Sequence, residues 1–130
     1  MYRIALALAA LAILPGPALA ETASKTVKAG GRSIIGSFFS YRVNTCQADA
    51  VPAAKVRRQG ASGRVEIVPI EHTLGKDTPC PGTKVRGLLY AYTPARGFTG
   101  ADEVAIDVPW AGNDSGMPTV LTYTYRITVQ

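Results

Sequence analysis

Few side chains in this 130-residue sequence are suited to catalysis, since it contains one histidine, two cysteines and one tryptophan. His72 follows Glu71, and an imidazole beside a carboxylate can act as a general base. No Gly-x-Ser-x-Gly motif and no pair of carboxylates at a recognisable spacing accompanies it. We therefore predict no catalytic residue, and we read His72 as an exposed surface side chain.

Cys46 and Cys80 are the only cysteines, an even number that predicts one disulfide in an exported protein. Closing the chain between them would stabilise the fold by about 4 kcal/mol in the chain-entropy model. The alternative is two buried free thiols. Two cysteines and one histidine lack the second ligand cluster of a zinc site, so neither a metal nor another cofactor is expected.

The first twenty residues have the pattern of a cleavable secretory signal. A basic start precedes an apolar run over residues 4–14, and the small-residue sequence Ala-Leu-Ala occupies residues 18–20. The run is too short to span a bilayer as a helix, no later segment is apolar enough to do so, and Glu21 at the predicted cut gives no lipid anchor. We expect a signal peptide over residues 1–20 and one periplasmic or secreted domain over residues 21–130. The alternative is a retained N-terminal anchor.

Charge is unevenly distributed along the domain. Eight Lys or Arg side chains stand against two acids in residues 21–64, whereas five stand against seven in residues 65–130. This balance is compatible with an anionic partner, but it favours the alternative of a solvated face that only aids solubility, since no run of five or more like charges occurs. Aromatic residues are not interleaved with the basic ones as base stacking requires, so nucleic acid is not an expected partner. Arg57 and Arg58 are adjacent on a predicted strand and should point to opposite faces, so at most one of them can join a given patch.

Short β-rich runs punctuated by Gly and Pro fill the rest of the sequence, and apolar residues do not recur at helical spacing. The clearest run, "VLTYTYRITV", alternates between an apolar and a polar face, which is typical of a half-buried antiparallel strand. About seven such runs with turn signals between them predict an all-β, Ig-like antiparallel β-sandwich. The predicted strands lie near 26–29 and over 33–43, 53–59, 63–70, 84–92, 103–108 and 120–129.

Glycines and prolines give three more specific expectations. Gly36 interrupts the second run and predicts a β-bulge. Gly60 and Gly63 bracket a hairpin and are expected to supply positive-φ positions. Residues 71–82 contain two prolines and are expected to form a long loop that Cys80 pins.

The stretch "YTPARGFTGADEVAIDV" predicts a sharp corner between two strands. Pro94 has no N–H donor and ends the first strand, while Gly97 and Gly100 let the backbone reverse. Phe98 is expected to turn back onto the edge of the core, and the Asp102 carboxylate to accept hydrogen bonds from nearby backbone N–H groups. The corner is therefore expected to carry the chain from one sheet of the sandwich to the other.

This corner, followed by "GMPTVLTYTYRITV", resembles the C-terminal half of the bacterial Ig-like, cadherin-like modules that are repeated in tandem in large surface and adhesion proteins. The shared pattern is Y-T-P-x-x-G-F-x-G-x-D, a strand, a loop and a final strand ending in I-T-V. The sequence departs from it at Val104, where the family has an aromatic residue, and it contains a single module. The acidic calcium-binding motifs of true cadherins are missing from the sequence, so calcium is not expected despite Asp102, Asp107 and Asp114. The resemblance implies a fold and says little about activity.

We therefore expect an exported, non-catalytic binding module of the bacterial cell envelope. Trp110 stands at the head of a Gly/Asn/Asp-rich loop, where it either contributes to a contact or caps the bottom of the sandwich. Trp110, Arg57 and Arg58 are the candidate contact residues. The expected partner is another envelope protein or an anionic envelope polymer, and no oligomeric state is predicted. A small enzyme or an enzyme inhibitor on an Ig-like scaffold is the alternative.

Overall fold

The computed structural model describes residues 20–110 and 119–130, and within these ranges every regular element is a β-strand. The expected signal segment, except for its last residue, and residues 111–118 of the Gly/Asn/Asp-rich loop that follows Trp110 lie outside the described residues. No helix in the described ranges could cross a membrane. The strands are β1 (Ala20–Val27), β2 (Ser33–Phe39), β3 (Tyr41–Arg42), β4 (Gln47–Ala48), β5 (Lys55–Arg58), β6 (Gly63–Thr73), β7 (Lys84–Pro94), β8 (Gly100–Trp110) and β9 (Thr119–Val129).

Two main sheets contain seven of these strands, the number that the sequence predicts. The first sheet has the order β1-β9-β8-β5, the second has the order β2-β7-β6, and β3 and β4 form a separate short ladder. A sheet β9-β8-β5 opposite a sheet β2-β7-β6 is the arrangement of Ig-like sandwiches. β1 is the exception to the antiparallel pattern, because it runs parallel to β9 with Ala20 opposite Thr122 and Val27 opposite Val129. The first strand thus begins earlier than the expected residues 26–29.

Alternation along the strands builds the core between the two sheets. On β8, Val104, Ile106 and Val108 are fully buried, while Glu103 and Asp107 point to the outer face. The core joins residues of both sheets, and its buried members are Val27, Ile35, Val65, Leu88, Tyr90, Tyr92, Val104, Ile106, Val108, Tyr125, Ile127 and Val129. The predicted sandwich is therefore confirmed by the packing as well as by the strand order.

The disulfide joins Cys46 to Cys80 with their Cα atoms 5.5 Å apart, as predicted. Cys80 is 1% exposed and packs with Leu74 and Val85 in a second, smaller cluster, against which Phe39 also lies. A disulfide of this kind indicates an oxidising, extracytoplasmic environment.

The loop that carries Cys80 is shorter than predicted. Residues 71–73 continue β6, which pairs with β7 as far as the Thr73–Lys84 pair. β6 is the edge strand of the second sheet, and an edge position accommodates Pro69 because the outer side of the strand needs no N–H donor there. The predicted bulge near Gly36 is present, since the register of β2 against β7 shifts between Ile34 and Gly36.

Candidate functional site

The corner predicted from the sequence joins the two sheets. β7 ends at Pro94 in the second sheet, and β8 begins at Gly100 in the first. Gly97 has φ of 77° and Gly100 has φ of 128°, values that favour glycine. Phe98 is half-buried and packs against the main core.

Asp102 holds this corner through four hydrogen bonds. Its Oδ2 accepts from the Tyr92 hydroxyl at 2.6 Å and from the Ser62 N–H at 3.2 Å. Its Oδ1 accepts from the Ala61 N–H and from the Glu103 N–H, each at 2.9 Å. Only Glu103 is the nearby backbone donor that the sequence predicts; the other donors come from β7 and from the connection between β5 and β6, about forty residues upstream. Burial and the bond to Asp102 raise the pKa of the Tyr92 phenol.

The predicted hairpin is wrong, because β5 pairs with β8 in the first sheet and β6 pairs with β7 in the second, so that residues 59–62 connect the two sheets. The glycines of this β5–β6 connection also differ from the prediction. Gly60 and Gly63 do not have positive φ; the described glycines that do are Gly30, Gly82, Gly97 and Gly100. A Cβ on Gly60 would collide with the Asp102 carboxylate, and a Cβ on Gly63 would collide with the Tyr92 hydroxyl. These glycines are needed because the corner packs directly on the β5–β6 connection.

The prediction that Arg57 and Arg58 point to opposite faces is wrong. The register of β5 against β8 shifts at Arg57, and such a bulge places two successive side chains on the same side. Arg57 Nη1 lies 3.3 Å from Asp107 Oδ2, and Arg58 pairs with Glu103, two acids on the outer face of β8. Arg126 Nε lies 3.4 Å from the same Glu103 carboxylate. Both candidate contact arginines are therefore engaged in ion pairs on the first sheet.

His72 lies on β6 rather than on the expected loop. It is exposed, and its ring centroid is 5.3 Å from that of Phe39. Glu71 precedes it on the strand and therefore points to the opposite face, where it lies 3.8 Å from Lys84 Nζ. Glu71 cannot orient the imidazole. Within residues 20–110 and 119–130, no three His, Cys, Asp or Glu side chains form a group that could hold a metal.

Trp110, the third candidate contact residue, ends β8 at the opposite end of the sandwich from the corner. Its ring meets the Phe38 ring edge to face, with centroids 5.8 Å apart and planes at 69°. This contact caps the core, yet Trp110 is only half-buried, and it also borders a cleft of about 440 Å³. Trp110 can therefore cap the core and still be accessible to a partner, so the two roles expected for it do not exclude each other. We call this the Trp110 cleft; its described lining residues are Arg42, Asp49, Ala50, Val51, Pro52, Pro109 and Trp110.

A polar pair, Arg42 and Asp49, also lines the cleft. Asp49 Oδ2 accepts a hydrogen bond from the Ser40 hydroxyl at 2.5 Å, and the Asp49 N–H donates to the Ser40 carbonyl at 3.0 Å. Arg42 Nε lies 3.6 Å from Asp49 Oδ1. The sequence gives no signal for this pair, because neither side chain belongs to a recognisable motif.

The β3–β4 ladder positions the polar pair. Arg42 ends β3, Asp49 follows β4, and the Arg42 carbonyl accepts a hydrogen bond from the Cys46 N–H at 2.8 Å. Cys46 is in turn linked to the buried Cys80. The disulfide thus fixes one wall of the Trp110 cleft to the second sheet.

A comparison with protein-family models found no family that matches the chain, and a comparison with curated proteins found no match either. The function is therefore inferred from the geometry of the described residues.

Proposed function

We propose that the protein is an exported, non-catalytic Ig-like binding module of the bacterial cell envelope, periplasmic or secreted, whose C-terminal part is related to the cadherin-like repeats of surface proteins. It meets its partner at the end of the sandwich that carries Trp110. The observation that carries this proposal is the half-buried Trp110, which packs on the core and borders an open cleft beside a fixed Arg42–Asp49 pair.

Tryptophan and arginine are the residue types most enriched at binding hot spots, and loops at the end of a sandwich are the usual place for contacts. Val51, which lines the cleft, is 38% exposed, and Pro52 and Pro109 line it as well. Exposed apolar side chains beside a tryptophan favour a surface that a partner covers. Arg57 and Arg58 are weaker candidates, because both already neutralise acids of β8.

The disulfide supports export, and the engagement of the titratable side chains supports binding over catalysis. Glu71 pairs with Lys84, while His72 points away from it and lies against Phe39. A histidine that acts as a general base is usually oriented by a neighbouring carboxylate. Glu71 does not orient His72 in this way. An enzyme or an enzyme inhibitor is therefore less well supported than a binding module.

A pulldown from envelope extract with residues 21–130 as bait tests the proposal. We expect wild-type protein to capture a partner that the Trp110→Ala variant does not capture. Ile34→Ala is the matched control, because Ile34 is 54% exposed and lies near the start of β2, away from the cleft. Urea denaturation of each variant establishes that it is folded. Equal capture by wild-type protein and a folded Trp110→Ala variant would contradict the assignment of this surface.

Export is tested separately by N-terminal sequencing of the protein recovered from periplasm and medium. We expect the sequence to begin at Glu21. Recovery in the cytoplasm with residues 1–20 still attached would contradict the proposed location.

A further inference from the structure

We infer that the Trp110 cleft binds a neutral saccharide unit of an envelope glycan. This inference rests on the proposed function and uses the same cleft; it replaces the anionic polymer expected from the sequence with a neutral glycan.

The first argument is the apolar side of the cleft. The Trp110 ring packs against Phe38 with the ring planes at 69°, and it is still only half-buried and lines the cleft. Pro52 and Pro109 add rigid apolar walls that lose little conformational freedom on binding. An aromatic face with rigid walls suits the C–H face of a sugar ring, which is flat and apolar.

The second argument is the polar side. The Ser40 hydroxyl fixes Asp49, whose carboxylate retains further acceptor sites, and Arg42 contacts it through Nε, which leaves the other guanidinium N–H groups available. A hydroxyl group both donates and accepts hydrogen bonds, so neighbouring sugar hydroxyls can donate to Asp49 and accept from Arg42. Such charge-assisted hydrogen bonds fix the orientation of a ligand.

The third argument is charge. Arg42 and Asp49 are the charged lining residues of the cleft in the part of the chain that the structure describes. Among the described lining residues the charges cancel, and such a lining gives no net electrostatic attraction to a polyanion. Of the polymers in a bacterial envelope, a neutral glycan therefore suits this cleft better than an anionic one.

The fourth argument is size. The volume of about 440 Å³ lies within the range of about 300–1,000 Å³ that small ligands occupy. A stable protein interface instead needs a broad patch of about 800 Å² on each partner. A cleft of this size accommodates one or two sugar rings.

The fluorescence of Trp110 provides a direct test, because it is the only tryptophan in the chain. The disulfide-bonded protein is titrated with tetrasaccharides of N-acetylglucosamine, of α-linked glucose and of β-linked glucose, and separately with dextran sulfate as an anionic probe. We expect a saturable change in emission with at least one neutral tetrasaccharide and none with dextran sulfate.

Asp49→Asn should weaken the saccharide response by about tenfold, the effect of losing one charge-assisted hydrogen bond. Arg42→Ala, the second variant, should also weaken the saccharide response. Arg42 is exposed, so its loss should leave the fold intact. Asp77→Asn, at an exposed site on the Cys80 loop, is the matched control and should leave the response unchanged.

No saturable change with any of the three tetrasaccharides, or a response only to dextran sulfate, would overturn the inference. A saccharide response that is unchanged in both Asp49→Asn and Arg42→Ala would also overturn it. Trp110-dependent capture of a protein from envelope extract, without a saccharide response, would leave the proposed binding module intact and refute only the saccharide.

Discussion

Tyr90 and Tyr92 lie two residues apart on β7, and their hydroxyl groups are in opposite situations. Both side chains are almost fully buried. The Tyr92 hydroxyl donates to Asp102, whereas no protein group among the described residues accepts a hydrogen bond from the Tyr90 hydroxyl. A buried hydroxyl without a partner is desolvated without compensation, so only one of these two phenols contributes a favourable polar interaction.

Phenylalanine substitutions at the two positions should therefore differ in sign. Tyr92→Phe removes a donor to a buried carboxylate and should lower the free energy of unfolding by about 2 kcal/mol. Tyr90→Phe should be neutral or should raise it by up to about 1 kcal/mol. Urea denaturation of both variants measures the difference. Equal destabilisation would mean that the bond to Asp102 adds nothing beyond packing.

The tyrosines also predict a loss of stability at alkaline pH. Burial, as the main cause, raises the pKa of Tyr125 from its ordinary value of 10.0 to about 12. It also raises the pKa values of Tyr90 and Tyr92. The folded phenols keep their protons at pH values where the unfolded ones ionise. Their contribution to the free energy of unfolding is therefore complete below pH 10.0, and it is lost as the pH rises through the raised pKa values of the folded state.

The free energy of unfolding should accordingly fall as the pH rises from about 10 to about 12. Tyr125→Phe should reduce the slope, because a phenylalanine at this position has no proton to lose. A free energy of unfolding that stays constant over this range would contradict the assignment.

At the scale of elements, the β5–β6 connection and the β7–β8 corner act as one unit, because the Ala95 N–H donates to the Ser62 carbonyl at 2.7 Å. Gly63→Ala would place a Cβ against the Tyr92 hydroxyl and should destabilise the fold by about 1–3 kcal/mol, as overpacking does. Gly75→Ala is the matched control, since a Cβ there meets no atom within 4 Å. Its effect should be within about 0.5 kcal/mol of zero. Thermal or urea unfolding measures both, and equal effects would argue against the close packing.

The elements differ in how far the sequence predicts them. β8 and β9 alternate cleanly, and the corner motif between residues 94 and 102 specifies its own turn, so both could be predicted. The bulge at Arg57 could not, because the run "KVRRQ" contains no glycine or other local signal for it. The parallel pairing of β1 with β9 joins residues that are about a hundred positions apart, and only the three-dimensional packing determines it. Local pattern thus predicts strands, while register and partner depend on the whole fold.

The same distinction applies to the candidate site. Trp110 is identifiable from composition alone, because it is a single tryptophan beside a turn-rich loop. Arg42 and Asp49 could not be assigned to it from the sequence, since the β3–β4 ladder and the Cys46–Cys80 link bring them to the end of β8. The site becomes apparent only when the disulfide is placed in the fold.

At the scale of the whole molecule, the disulfide should contribute both to stability and to the geometry of the cleft. Its closed loop, with a sequence separation of 34, corresponds to about 4 kcal/mol in the chain-entropy model. Neither cysteine belongs to the main core, whereas Cys80 belongs to the smaller cluster with Leu74 and Val85. Loss of the link should therefore weaken the fold while leaving the two sheets paired.

A Cys46→Ala, Cys80→Ala double variant should lower the free energy of unfolding by about 4 kcal/mol and keep the β-sheet circular dichroism of the wild-type protein. Alanine suits the site of Cys80, which is surrounded by apolar side chains. Because the link holds the β3–β4 ladder, the double variant should also show a weaker response of Trp110 fluorescence to saccharide, even where it is fully folded. A reductant should reproduce both effects in the wild-type protein and change nothing in the variant. If the variant were as stable as the wild-type protein and bound saccharide equally well, the link would have no role in stability or in the position of the cleft wall.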